Sequence, residues 1–196
     1  MNDKKSYKQR DFIKILNNLE KVRVMIFLYD CVIIGQVLCF SNSRFLDMLN
    51  EGLILDEYRI KDFLIVKQPL LINLDGKKKK MSGPWFIKKD SVSFIGTFDE
   101  TKSTTSEVVN SHRFYPWREK NRMLVTIVLN GQHNLVGEFH NDPWSLPILA
   151  IDSYKIFIPM TNVIVSSSLM PQEINFDFIA VNKNQTHLIK ISPLID

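Results

Sequence analysis

The side chains of this chain that could do chemistry by themselves are four histidines, two cysteines and a run of lysines. His112, His133, His140 and His187 share no zinc-ligand spacing with one another or with Cys31 and Cys39. A cysteine nucleophile needs a neighbouring base to form the thiolate, and the sequence identifies none for either thiol. No Gly-rich phosphate loop, Gly-x-Ser-x-Gly elbow or paired-carboxylate motif occurs. The residues therefore call for no metal and no cofactor, and the expectation is a protein that is not an enzyme.

Lys77, Lys78, Lys79 and Lys80 are the strongest binding signal. With Lys88 and Lys89 they could form a positive face beside Trp85 and Phe86. Cations next to aromatics suit RNA or single-stranded DNA, through phosphate contacts and base stacking. The plainer alternative is a solvated hairpin tip whose charges keep a sheet edge from pairing wrongly. A formal charge of +4 falls short of the basic stripe of a dedicated nucleic-acid binder. A second mixture of aromatics and cations runs from Arg113 to Arg122, where an interdomain packing role is as plausible.

Partner contacts have a different set of candidates. Residues 44 to 50 read RFLDMLN. Phe45, Met48 and Leu49 have the spacing of one helical face, and Arg44 and Asp47 can pair across one turn. Ser41, Asn42 and Ser43 are good N-cap types, and Gly52 can end the turn in a left-handed conformation. The segment is then either a cap over a sheet with Asn50 bonded to nearby backbone, or a site where Arg44, Asp47 and Asn50 meet a partner. Trp144, in Asp142-Pro143-Trp144, is a further contact candidate.

The elements that must position these residues are mostly strands. Of 196 residues, 45% are hydrophobic and 13 are Phe, enough for a packed core. An amphipathic helix is expected over residues 7–20, from Phe12, Ile15, Leu16 and Leu19. The period then changes to two: Val22, Val24, Ile26 and Leu28 alternate with more exposed positions, and Gly35 interrupts the next strand. Met123 starts the pattern again, with an Asn130-Gly131 hairpin turn and Gly137 interrupting its second strand. Phe157 to Ser168 can be laid on Phe86 to Thr97. An internal duplication follows, with an N-terminal helix over 1–21, a first module with a long insertion over 22–98, a linker or surface loop over 99–122, and a second module with a C-terminal hairpin over 123–196.

An amphipathic helix followed by bent antiparallel strands resembles the Sm-like fold of LSm proteins and bacterial Hfq. Ser41-Asn42-Ser43 stands where Sm proteins carry an Asp, so their nucleotide-binding residues do not transfer. Gly35 with Arg44 to Asn50, and Phe157-Ile158-Pro159-Met160-Thr161-Asn162, are similar to an uncharacterised family of small bacterial Sm-like domains. The resemblance implies two tandem small bent-sheet barrels and no known reaction. Small barrels keep open edges, so the expected function is a scaffold that self-assembles or joins a larger complex, with a protein or its own copy as partner and nucleic acid as the alternative. The charged N-terminus lacks a secretory h-region, the cysteines suggest no disulfide framework, and no apolar run spans a bilayer. A cytoplasmic protein is expected.

Overall fold

Runs rich in Val, Ile and Phe with period two set the strands, and short polar turns separate them. A computed structural model describes residues 15–40, 43–55, 58–97, 120–130 and 132–193. The first half holds β1 (Glu20–Leu28), β2 (Cys31–Cys39), α1 (Phe45–Glu51), β3 (Leu53–Leu55), β4 (Tyr58–Ile60), β5 (Phe63–Asn73), β6 (Lys78–Lys80), β7 (Trp85–Lys88) and β8 (Val92–Thr97). In the second half are β9 (Asn121–Leu129), β10 (His133–Asn141), α2 (Pro147–Ser153), β11 (Phe157–Ser167), β12 (Ile174–Asn182) and β13 (Thr186–Pro193). Single 3-10 turns, Lys89–Ser91 and Lys183–Gln185, join β7 to β8 and β12 to β13.

Eleven of these strands make one antiparallel sheet in the order β13-β9-β10-β11-β12-β8-β1-β2-β5-β6, with β7 also on β5. The β3–β4 pair stands apart as its own hairpin. Among the described residues this ladder stays open at both ends. Where the sequence leads to two small bent-sheet barrels, the described strands form one continuous sheet that is not closed into a barrel, and β8 pairs with β12 to carry it from one half into the other. Helical backbone is described at residues 15–18, with Leu16 and Leu19 buried; the rest of the expected helix lies outside the described residues.

The halves repeat one pairing scheme. In the first, β1 pairs with β2 and β8, β2 with β5, and β5 with β7. In the second, β9 pairs with β10 and β13, β10 with β11, and β11 with β12. The equivalent of β11 is thus β5, and Phe157 corresponds to Phe63. The sequence alignment of Phe157 with Phe86 matched apolar patterns across different strands: Phe157–Ser167 is one unbroken strand, whereas Phe86 to Thr97 contains a turn.

Each half bends at one point. Gly35, fifth in β2, faces two residues of β5, and Gly137, fifth in β10, faces two of β11. The extra residues include Gln68 at φ 50° and Asn162 at φ 51°, each the sixth of its 11-residue strand. One residue against two is a β-bulge, which kinks the strand and increases its twist. Pro69 fits there because a bulge leaves an amide unpaired. A Cβ on Gly35 would lie 2.5 Å from Val66 Cγ1, and one on Gly137 would lie 2.6 Å from Val163 Cγ2.

Alternate residues of the sheet feed two cores on its opposite faces. Val24, Ile26, Ile95 and Ala180 enter one, with Leu49 and Phe157; Met25, Phe27, Phe94 and Ile179 enter the other, with Val125 and Phe139. The exposed positions expected between Val24 and Leu28 are buried for this reason: Met25 and Phe27 lie on a central strand covered on both faces. All six residues of β8 are buried as well. Replacing Gly35 or Gly137 with Ala should cost about 1–3 kcal/mol of stability, since a β-branched Val must move within a packed core; urea unfolding of each variant measures it.

Candidate functional site

RFLDMLN forms α1 at the seam between the halves. Phe45, Met48 and Leu49 are buried, as their spacing requires. The N-cap is Arg44 and makes no side-chain cap, so capping by Ser43 is not observed, while Ser41 and Asn42 lie outside the described residues. Gly52 closes the helix at φ 91° and ψ 170°, an extended positive-φ conformation rather than the left-handed helical one. A Cβ there would meet Ile60 O at 2.6 Å. Arg44 Nε and Nη2 donate to Asp47 Oδ2 and Oδ1 at 2.9 and 3.1 Å, an exposed pair within one turn.

Asn50 reaches much further. Its Oδ1 accepts from Ile156 N at 3.0 Å and Phe157 N at 2.9 Å, and its Nδ2 donates to Phe157 O at 3.1 Å. The expected cap to nearby backbone is instead a clamp on Ile156 and Phe157, where β11 begins. Glu51 extends the seam, accepting from Lys155 Nζ at 2.5 Å and from Arg59 Nη2 at 3.1 Å. The Lys155 hydrogen bond holds the Glu51 carboxyl below the usual range, with Arg59 adding to it. RFLDMLN does make a contact, and its partner is the other half of the same chain.

Further along the seam, Asn182 Nδ2 donates to Val92 O at 2.8 Å and Lys89 O at 3.2 Å. His133, from β10, lies edge-on to Phe27 and Phe94 and hydrogen-bonds Ser167 Oγ through Nδ1 at 2.8 Å. Burial pushes its pKa down, which favours the neutral ring. His140 Nε2 is 2.8 Å from Thr161 Oγ1. Among the described residues no cluster of three or more His, Cys, Asp or Glu could hold a metal ion. Burial first, then neighbouring acids, raise the Cys31 and Cys39 thiols to about 11, away from thiolate chemistry at neutral pH.

The lysine candidates separate into three environments. Lys78, Lys79 and Lys80 form β6 and are exposed. Lys77 pairs with Asp75 at 2.8 Å, and Lys88 with Asp90 at 3.4 Å. Lys89 is buried, its ammonium donating to Leu49 O at 2.6 Å and Met48 O at 3.3 Å. It caps the carbonyl end of α1 and is no part of an exposed cationic face. Lys183 does the same in the second half, donating to Asp152 O of α2 at 2.8 Å. Trp85 and Phe86 are exposed, with Trp85 Nε1 donating to Ser82 O at 3.2 Å. Trp144 stands almost wholly in solvent. Of the Arg113–Arg122 cluster only residues 120–122 are described, and Arg122 Nη1 lies 3.9 Å from Glu138.

No protein-family model, curated protein or solved structure significantly matches this chain. None of the helices among the described residues is long and apolar enough to cross a membrane.

Two measurements test the seam. Asn50→Ala should lose about 2–3 kcal/mol in urea unfolding, because the Ile156 and Phe157 amides it caps are left unpaired, whereas Asp47→Ala should lose less than about 1 kcal/mol. Burial drives Lys89 down to about 8 from its ordinary 10.5, with Asp62 and Glu51 opposing the shift. Between those values the unfolded chain binds more protons, so this residue adds stability as pH rises through the window. The raised thiols act in the opposite sense above about 9, so the readout is the difference between wild type and Lys89→Met. That difference should grow in favour of wild type from pH 7.5 to 9.5.

Proposed function

We propose that this chain is a non-enzymatic interaction protein, built of two Sm-like modules, that assembles through the open edges of its sheet. The observation that carries this reading is the β8–β12 ladder, a main-chain pairing that joins one module to the other inside the chain. Strands pair wherever amides and carbonyls are left open, and β13 and β7 end the sheet with such edges among the described residues. The repeated strand order and the mid-strand glycine bulges support the Sm-like reading of each half. Lys78–Lys80 charge the neighbouring β6 edge, which discourages indiscriminate pairing there. β7 carries one such charge, Lys88 at its end, beside Trp85, Phe86 and Ile87.

A second reading, RNA or single-stranded DNA binding, is favoured by one observation. The exposed lysines of β6 and the exposed Trp85 lie along the same side of β5. Light scattering on a sizing column, with absorbance at 260 and 280 nm, separates the two. Assembly predicts a mass above 22.9 kDa that is free of nucleic acid and persists in salt. A nucleic-acid-rich peak that dissociates in salt would favour the second reading; a clean single-chain mass at high concentration would remove the first.

A further inference from the structure

The internal seam has two sides, and each side has a counterpart that the seam does not use. The first half offers β8 and α1, and the second half brings β12 and the start of β11. By the repeated pairing scheme, β13 and α2 are the counterparts of β8 and α1. β7 and the start of β5 are those of β12 and the start of β11. Within the seam Phe157, Ile179 and Ala180 are each 0% exposed. Their counterparts are Phe63, Trp85 and Phe86, at 42%, 43% and 49%. Phe94 of β8 is fully buried, while its counterpart Leu188 is 66% exposed.

The receiving side is also left open. In the first half Leu46, Leu49, Val92 and Ile95 enter the core that holds Phe157 and Ala180. Their counterparts Ile148, Ile151, Thr186 and Ile189 line a cleft of about 490 Å³ between α2 and β13. Asp152, counterpart of the Asn50 clamp, lies at the same cleft. In the seam the Phe176 ring lies where a Cβ on Gly96 would stand, so β8 needs glycine there. At the open edges those two places hold Met81, whose amide bonds Pro69 as Phe176 faces Val163, and Lys190, so these two flexible side chains must turn aside for the strands to meet.

We infer that the partner of this assembly is a second copy of the chain, bound head to tail. β7 of one copy adds antiparallel to β13 of the next, with Phe63 and Phe86 seated in the cleft beside α2. The internal register, Ala180 opposite Ile95 and Ile179 opposite Gly96, transfers directly. It places Phe86 opposite Ile189 and Trp85 opposite Lys190. Asp152 takes the place of Asn50 and accepts from the amides of Asp62 and Phe63 of the neighbour, but its carboxylate cannot donate to the Phe63 carbonyl as Asn50 Nδ2 does to Phe157 O. The Glu51–Lys155 ion pair has no equivalent, since Ser153 and Lys61 stand in those places, so this contact is weaker than the seam. Because the two surfaces differ, the contact is heterologous, and it propagates into a ring or a filament rather than stopping at a two-fold dimer.

This inference rests on the assembly reading, and mixing variants separates the two. Phe86→Lys disables only the donating edge, and Ile148→Glu only the receiving cleft; both side chains are exposed, so the fold is kept. Each variant alone should fall to the single-chain mass of 22.9 kDa. An equimolar mixture should return to twice that mass, because one intact contact remains between the two variants. Assembly that persists in both single variants, or a mixture that stays monomeric, would overturn head-to-tail docking and leave the assembly reading standing. A wild type that is already monomeric removes both. As a second readout, Trp85→Cys mixed with Lys190→Cys should give an oxidised dimer at the antiparallel Cα spacing a disulfide accepts. Absence of that crosslink in an assembled sample overturns the register.

Discussion

The β8–β12 ladder is the constraint on which the rest depends. It pairs Thr97 to Phe94 with Phe178 to Val181 and so makes a six-stranded and a five-stranded unit one sheet. β8 has a neighbour on each side and is covered on both faces, and each of the two cores draws residues from both halves. Phe27 stacks on Phe94 with ring centroids 4.1 Å apart, and His133 from the other half closes over both. Two polar clamps sit at the Phe94–Val181 end of the pairing, Asn50 on the amides of Ile156 and Phe157 and Asn182 on the carbonyls of Lys89 and Val92. Their amides satisfy main-chain groups that the seam would otherwise bury unpaired.

The same local devices occur twice. A glycine opposite two residues bends each half, and a lysine from each 3-10 turn caps the carbonyl end of a short helix. These devices solve backbone problems, so they recur wherever the backbone does. Surface chemistry does not recur with them. Two positions buried in the seam, Ile179 and Ala180, are aliphatic, whereas the same places at the open edge hold Trp85 and Phe86. Large aromatics with a polar handle or an exposed face are what an interface core uses, since they bury much area with few rotors.

Much of this was legible in the chain. The shift from helical to two-residue period, Gly35 and Gly137 as strand interruptions, and the helical face of Phe45, Met48 and Leu49 all come from local sterics and solvent exposure, which a linear pattern records. Asn50 could be singled out as a polar residue ending an amphipathic turn, but its partners are 107 residues away, and no local spacing encodes that distance. Lys89 looked like one more cation beside Lys88; only the approach of α1 buried it and turned its ammonium onto carbonyls.

By itself the sequence determined the strand-rich composition, the two bend points and the lack of a recognisable reaction motif, because each follows from residue type at short range. Tertiary structure alone decided that the halves share one open sheet, that Phe157 answers to Phe63 rather than Phe86, and which aromatics are left uncovered. Strand pairing is a contact between backbones, and every backbone carries the same amides and carbonyls. The choice of partner strand is therefore made by the packing of both faces at once, which appears only when the chain has folded.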